Sequence, residues 1–317
     1  MPRFLLTVVT LFITAALGGC SKPPPPPTTT APAADRIIVL SPALAIICQD
    51  LGLEDSIVGR HDWDLALADS IPKVGDHLSL DYEAIIRQEP TLVIAESGLT
   101  EREPRLIALA AERGFAIAEY PMLTLDDIAE AADDLYLDLV ADGFAEQEPR
   151  SPDDAVKFVD PAKRFERALP SERLARAFAP DDRGFESVGR VLLLGSADPP
   201  AAVGPRSFHH QLLERMGAAT AITDGAPWQE LDAESVIRLA PDAIILFAPG
   251  RTEADAAEAL GLIATLETPA KRHNRFGVIT HPYALIPSTS LAAVADEVRS
   301  LLEQWREAPS NALDSAP

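Results

Sequence analysis

One fifteen-residue stretch occurs twice and limits the architectures open to this chain. Residues 80–94 read LDYEAIIRQEPTLVI and residues 231–245 read LDAESVIRLAPDAII. Aligned without a gap, they are identical at Leu80/Leu231, Asp81/Asp232, Glu83/Glu234, Ile86/Ile237, Arg87/Arg238, Pro90/Pro241 and Ile94/Ile245. Each copy opens on acids, runs through about two helical turns, stops at a proline and enters an apolar strand. A repeated unit of this kind sets the architecture of the whole chain. It predicts two homologous lobes, each with one acidic helix start, and a length of 317 residues leaves room for both.

The segments around the repeat support an α/β class with mostly parallel sheets. RIIVL at 36–40 reads as a buried strand, and Ser41-Pro42 opens a helix that Gly52 ends. SIVG at 56–59 is a second strand, FAIA at 115–118 another, and RVLLL at 190–194 echoes the first. In parallel sheets of this kind, ligands gather in loops beyond the carboxyl ends of strands. His61-Asp62-Trp63, the loop at His77 and the segment from Glu96 to Leu99 stand in such positions. Residues 123–139 carry apolar positions at helical spacing and predict a long connecting helix. The segment 141–189, rich in Pro, Asp, Glu and Arg, reads as an insertion on that connection with one helical piece near 165–178. A final amphipathic helix is predicted over 290–305, with Leu291, Val294, Val298, Leu301 and Leu302 inward.

The first residues carry an address. One arginine precedes an apolar run at 4–17 that is short for a membrane span and suits the core of a signal peptide. It ends in Leu17-Gly18-Gly19-Cys20, which resembles a bacterial lipoprotein signal with Cys20 as the lipidated residue. Five prolines and three threonines follow, a stiff polyproline spacer. The expected layout is a signal peptide at 1–20, a linker at 21–35, a first lobe at 36–122, a connection with its insertion at 123–189, a second lobe at 190–306 and a tail at 307–317. The expected location is the periplasm or cell surface, anchored to a bacterial membrane by lipid. Cys48 is then the remaining cysteine, which excludes an intrachain disulfide framework. A net charge of −22 argues against a nucleic-acid partner, which would need clustered Lys and Arg.

RIIVLSPALAIICQDLG, SIVGRHDW and KVGDHLSLDYEAIIRQEPTLVIA together resemble the first lobe of helical-backbone periplasmic binding proteins. These are the substrate-binding subunits of ABC importers for vitamin B12, ferric siderophores and haem. The resemblance covers about 36–140 and 188–305. It implies two Rossmann-like lobes joined by a long helix, a ligand cleft between them, a monomer, and no chemistry performed. It further implies that Glu83 and Glu234 dock onto the arginines of a permease dimer. A carboxylate in a first helical turn is also stabilised by the helix dipole alone, and Asp81 and Asp232 read as caps.

Flat and nitrogen-bearing side chains in the strand-end loops suit a corrinoid, haem or ferric chelate. Ligand contacts are accordingly expected from His61, Trp63, His77, His209, Trp228, His281 and Tyr283. Trp63 and His77 match places where cobalamin-binding relatives carry aromatic contacts. No resident cofactor and no structural metal site is expected, since zinc-type spacings are absent from the sequence. A hydrolase on the same scaffold, and a sensor or interaction module without transport, are the competing functions. The chain has no Gly-x-Ser-x-Gly elbow, Walker loop or Gly-x-Gly-x-x-Gly after its first strand.

Overall fold

A computed structural model describes residues 36–141 and 169–307, apart from 253, 254, 256 and 257. The leader with Cys20, the linker, residues 142–168 of the 141–189 insertion and the tail beyond 307 lie outside the described residues.

Strand β1 (Ile37–Val39) is fully buried, as its unbroken apolar run requires of a strand covered on both faces. Ser41 caps helix α1 (Pro42–Leu51), its Oγ accepting from the backbone N–H groups of Ala43 at 3.1 Å and Leu44 at 3.3 Å. Gly52, with φ 75°, ends the helix in the left-handed region. Strands β2 (Ile57–Arg60), β3 (Leu92–Glu96) and β4 (Ala116–Tyr120) complete a sheet of order β2-β1-β3-β4 with every neighbouring pair parallel. Its helices are α2 (Tyr82–Arg87), α3 (Leu99–Arg102) and α4 (Pro104–Arg113).

The connection begins with α5 (Leu125–Leu135), closed at its start by a reciprocal capping box between Thr124 and Asp127. It continues as a π-helical turn over Tyr136–Ala141. Helix α6 (Pro170–Ala177) returns the chain to it, the Ser171 N–H donating to Asp133 at 2.9 Å.

The second sheet holds β5 (Arg190–Ala197), β6 (Pro200–Val203), β7 (Ala219–Thr220), β8 (Trp228–Glu230), β9 (Ala243–Phe247) and β10 (Phe276–Ile279). Its parallel part, β7-β5-β9-β10, is the counterpart of β2-β1-β3-β4. Antiparallel β6 and β8 are additions. Strand β5 accommodates them because it is eight residues long: its first two residues pair with β7 and its far end, from Leu194 to Ala197, pairs with β6. Helices α7 (Phe208–Arg215), α8 (Ala233–Leu239), α9 (Pro269–Arg272) and α10 (Leu291–Glu307) pack on this sheet or connect it. The expected α/β class with mostly parallel sheets is what the chain forms.

The repeat holds in atomic detail. Asp81 caps α2 by accepting from the Ala84 N–H at 2.9 Å, and Asp232 caps α8 by accepting from the Ser235 N–H at 2.7 Å. Strands β3 and β9 are each five residues long and pair from their first residue, Leu92 with Ile37 and Ala243 with Val191. Each helix ends on a left-handed residue just before the proline, Glu89 at φ 46° and Ala240 at φ 45°. The α region is closed to a residue that precedes proline. The arginine that opens each lobe secures that corner. Arg36 Nε donates to the Glu89 carbonyl at 3.1 Å, and Arg190 Nη2 donates to the Ala240 carbonyl at 3.0 Å.

A left-handed conformation costs an L residue about 1–2 kcal/mol, against a smaller entropic penalty for glycine. Ala240→Gly is therefore expected to stabilise the chain by about 0.5–1 kcal/mol. The check is a higher urea midpoint at unchanged slope; a lower midpoint would mean the corner is not strained.

One apolar core runs beneath both lobes. It passes from Ile37, Val39 and Leu44 through Leu125, Ile128 and Leu135 of α5 to Val191, Leu193, Val294 and Leu302. Each lobe adds its own outer cluster. Helix α5 also bonds directly to α7, through the Leu125 N–H to Gln211 at 3.0 Å and through Asp126 to Arg215 at 2.6 Å. A shared core of this kind permits small lobe movements and resists wide hinge opening.

Candidate ligand cleft and helix-tip glutamates

The loop after β2 is held from below by Arg60, which is only 4% exposed. Its guanidinium donates to the Ile71 carbonyl at 3.0 Å and Asp69 at 2.9 Å, and lies 3.7 Å from the buried Asp64 carboxylate. Asp64 in turn accepts from the N–H groups of Ala66 and Leu67 at 3.2 and 2.9 Å. On this base, the His61 Nδ1 accepts from the Trp63 backbone N–H at 3.1 Å. The Trp63 indole is 68% exposed, with Nε1 donating to Asp76 at 3.0 Å.

Asp76 also accepts from the N–H groups of Leu78 and Ser79, which turns the His77 loop. The indole N–H first, and those backbone amides next, hold its carboxyl below the usual range. The rings of His61 and His77 are parallel within 3°, with centroids 6.1 Å apart.

His61, Trp63 and His77 come together with Leu40, Ala95 and Glu96 around a cavity of about 280 Å³. Leu40 follows β1, His61 follows β2 and Glu96 ends β3, so the cavity lies at the carboxyl ends of the strands. The sequence reading missed Arg102, at the end of α3, which lines the same cavity. Glu119 positions that short helix by accepting from the N–H groups of Gly98 and Thr100 at 3.1 and 2.5 Å.

From the second lobe, the loop after β10 repeats the device of His61. The His281 Nδ1 accepts from the Tyr283 backbone N–H at 3.2 Å, and the two rings meet edge to face at 5.8 Å. Tyr283 reaches the first lobe, its hydroxyl 3.4 Å from the Leu65 carbonyl. Thr289 bridges to Asp50 at the end of α1. Burial first, then Asp64 and Asp50, raise the Tyr283 hydroxyl above its ordinary pKa.

Two expected contacts stand elsewhere. His209 is 4% exposed, packed against Phe208 and Phe247, with Nε2 donating to the Ala284 carbonyl at 2.6 Å. It supports the 281–284 loop from inside and presents no ring edge to a ligand, which corrects the expectation of a direct contact. Burial pushes its pKa down to about 4. Trp228 lies half-exposed on edge strand β8, its indole laid over Gly195, where a Cβ would come within 2.2 Å of the ring. Among the described residues, no hydrogen bond or ring contact joins it to the cavity or to the 281–283 loop.

Glu83 and Glu234 occupy equivalent positions, each two residues past a capping aspartate. Both are exposed. Among the described residues, neither forms an ion pair. Glu83 shares an open groove with Asp62 and Asp76, whose loops also shape the cavity.

No protein-family model matches the chain. A curated relative, the uncharacterised ABC transporter substrate-binding lipoprotein YvrC of Bacillus subtilis (strain 168), is 24% identical over 213 residues, 66% of this chain. The match spans 62% of that relative's length. Among solved structures, the periplasmic vitamin B12 binding protein BtuF of Vibrio cholerae aligns over 86% of this chain and 98% of its own, at 20% identity and a TM-score of 0.59. The periplasmic haem binding protein HutB of Vibrio cholerae aligns over 86% and 99%, at 17% identity and a TM-score of 0.61. The duplicated strand-helix unit, the helical joint and these alignments together give the chain the fold of the helical-backbone periplasmic binding proteins.

Proposed function

We propose that the protein is the substrate-binding component of an ABC importer, capturing a corrinoid, haem or ferric chelate between its lobes. The observation that carries this is the cavity at the strand ends of the first lobe, beside a loop whose Leu65 carbonyl Tyr283 of the second lobe reaches. Cys20 is the lipid attachment, tethering the body to a bacterial membrane on its periplasmic or outer side. Glu83 and Glu234 dock on basic residues of the permease, a use of charge that fixes orientation and speeds encounter.

The protein has no catalytic role in this scheme. Ser41 Oγ donates to Glu96 at 2.7 Å while capping α1, and among the described residues no imidazole is hydrogen-bonded to it. A hydrolytic serine would need such a base.

Visible-spectrum titrations with cyanocobalamin, haemin and a ferric siderophore test the ligand class; no binding by any at micromolar concentration overturns it. For docking, Glu83→Ala and Glu234→Ala are each expected to lower uptake about tenfold, and together to abolish it, at unchanged ligand affinity. Lost affinity would instead place these residues in the ligand site.

A further inference from the structure

Each lobe sets a histidine two residues before an aromatic at a strand's carboxyl end, His61-Asp62-Trp63 after β2 and His281-Pro282-Tyr283 after β10. In both, Nδ1 accepts from the N–H of the aromatic residue, at 3.1 and 3.2 Å. A backbone N–H can only donate, so Nδ1 must offer its lone pair. The proton of the neutral ring is therefore on Nε2. Among the described residues the His61 Nε2 has no hydrogen-bond partner, and it is not sealed from solvent; its ring lines the cavity.

A metal takes a ring nitrogen through its lone pair. For Nε2 of either ring to ligate one, the proton would have to move to Nδ1, where it would face the N–H already pointing there. That exchange removes a hydrogen bond and opposes two donors.

We propose that His61 and His281 are specificity residues that donate Nε2–H hydrogen bonds to acceptor oxygens of the bound molecule, one from each lobe, and do not ligate its metal. The ligand role rests on the transport function above; the assignment of the ring proton does not. Arg102, on the cavity lining with His61, supplies a cation for the same class of group. Leu40, Ala95 and Leu99 offer it an apolar floor, and the exposed Trp63 indole a flat wall. The chemistry fits a flat or apolar body that carries carboxylate or amide oxygens at its edge. Burial first, and the neighbouring His77 next, lower the His61 pKa, which keeps the ring neutral at pH 7.

Long-range ¹H–¹⁵N NMR of the ligand-free full chain at pH 7.5 reads the proton position, with His61→Gln and His281→Gln assigning the signals. Both rings are expected in the Nε2–H form, and an Nδ1–H ring at either position overturns the proposal. In the binding arm, His61→Ala is expected to weaken haemin and metal-free protoporphyrin alike, about tenfold. His61→Gln, which keeps an amide donor near Nε2, restores most of the affinity, and the iron spectrum stays unchanged throughout. A changed iron spectrum in His61→Ala or His281→Ala, or weakening for haemin alone, overturns the proposal. If neither porphyrin binds, cyanocobalamin with its amide oxygens takes their place with the same variants. Failure of all three, and of a ferric siderophore with them, defeats the ligand class proposed above and the ligand role with it, while the NMR spectrum still decides where the proton sits.

Discussion

Gly75→Ala is expected to cost about 3 kcal/mol of stability and to weaken ligand binding together with it. Gly75 sits at φ 110°, outside the range open to L side chains at ordinary cost. A Cβ there would meet only backbone: the Ser79 carbonyl oxygen at 2.4 Å, the Leu80 Cα at 2.7 Å and the Asp81 nitrogen at 2.9 Å. No rotamer change relieves such contacts, so the chain itself must shift. The Gly75 N–H and carbonyl also clamp both ends of Asp62, at 3.1 and 3.0 Å. Displacing Gly75 therefore moves the His61–Trp63 loop, the His77 turn and the Asp81 cap at once. Urea unfolding measures the loss, and ligand titration of the folded fraction measures the second effect. A loss under about 1 kcal/mol would mean the turn can relax without the backbone clash.

What the sequence made legible was whatever is written locally. The aspartate cap, the two-turn helix, the proline stop and the apolar strand are each set by neighbours within a few residues, so the duplicated unit could be read and its two glutamates paired. The arginine clamp could not. Arg36 and Glu89, or Arg190 and Ala240, are some fifty residues apart, and only the folded register brings them together. Arg102 was missed because α3 is four residues long and carries no periodic signal.

Strands β6 and β8 are also short, and Pro200, the first residue of β6, argues against a strand in sequence terms. His209 had a readable signal that was not used. Leu212, Leu213 and Met216 follow it at i+3, i+4 and i+7, all buried, so the ring belongs to the apolar face of its helix. Side-chain identity suggested a ligand contact, whereas helical phase assigns a core position.

That core position is expected to make the protein acid-sensitive, chiefly through the His209 ring. The His209 pKa falls from 6.5 to about 4, chiefly because burial between Phe208 and Phe247 disfavours the charged form; the bond to the Ala284 carbonyl only partly opposes this. In the unfolded chain the same ring titrates near its ordinary value. Between the two values the unfolded state binds a proton that the folded state refuses, so acid favours unfolding. The contribution, about 3 kcal/mol, is full above pH 6.5 and is lost as pH falls through 4. His61, lowered for the same first reason, adds loss in the same direction. Carboxylates held below their ordinary range, such as Asp181 under its bonds to Arg183 and Arg306, act below about pH 5, so the decline from pH 6.5 to 5 is the part that reports the histidines.

Urea unfolding at steps from pH 7.5 to 4 should show the decline, and His209→Gln should flatten most of it. An unchanged slope in that variant would remove His209 as the cause. The loosening should begin at the cleft, because Ala284 closes the turn that carries His281 and Tyr283. Amide exchange in residues 281–286 is accordingly expected to rise at pH 5 before exchange in β5 and β9 does. Charging the buried ring would then weaken the second lobe's hold on ligand before the fold itself gives way.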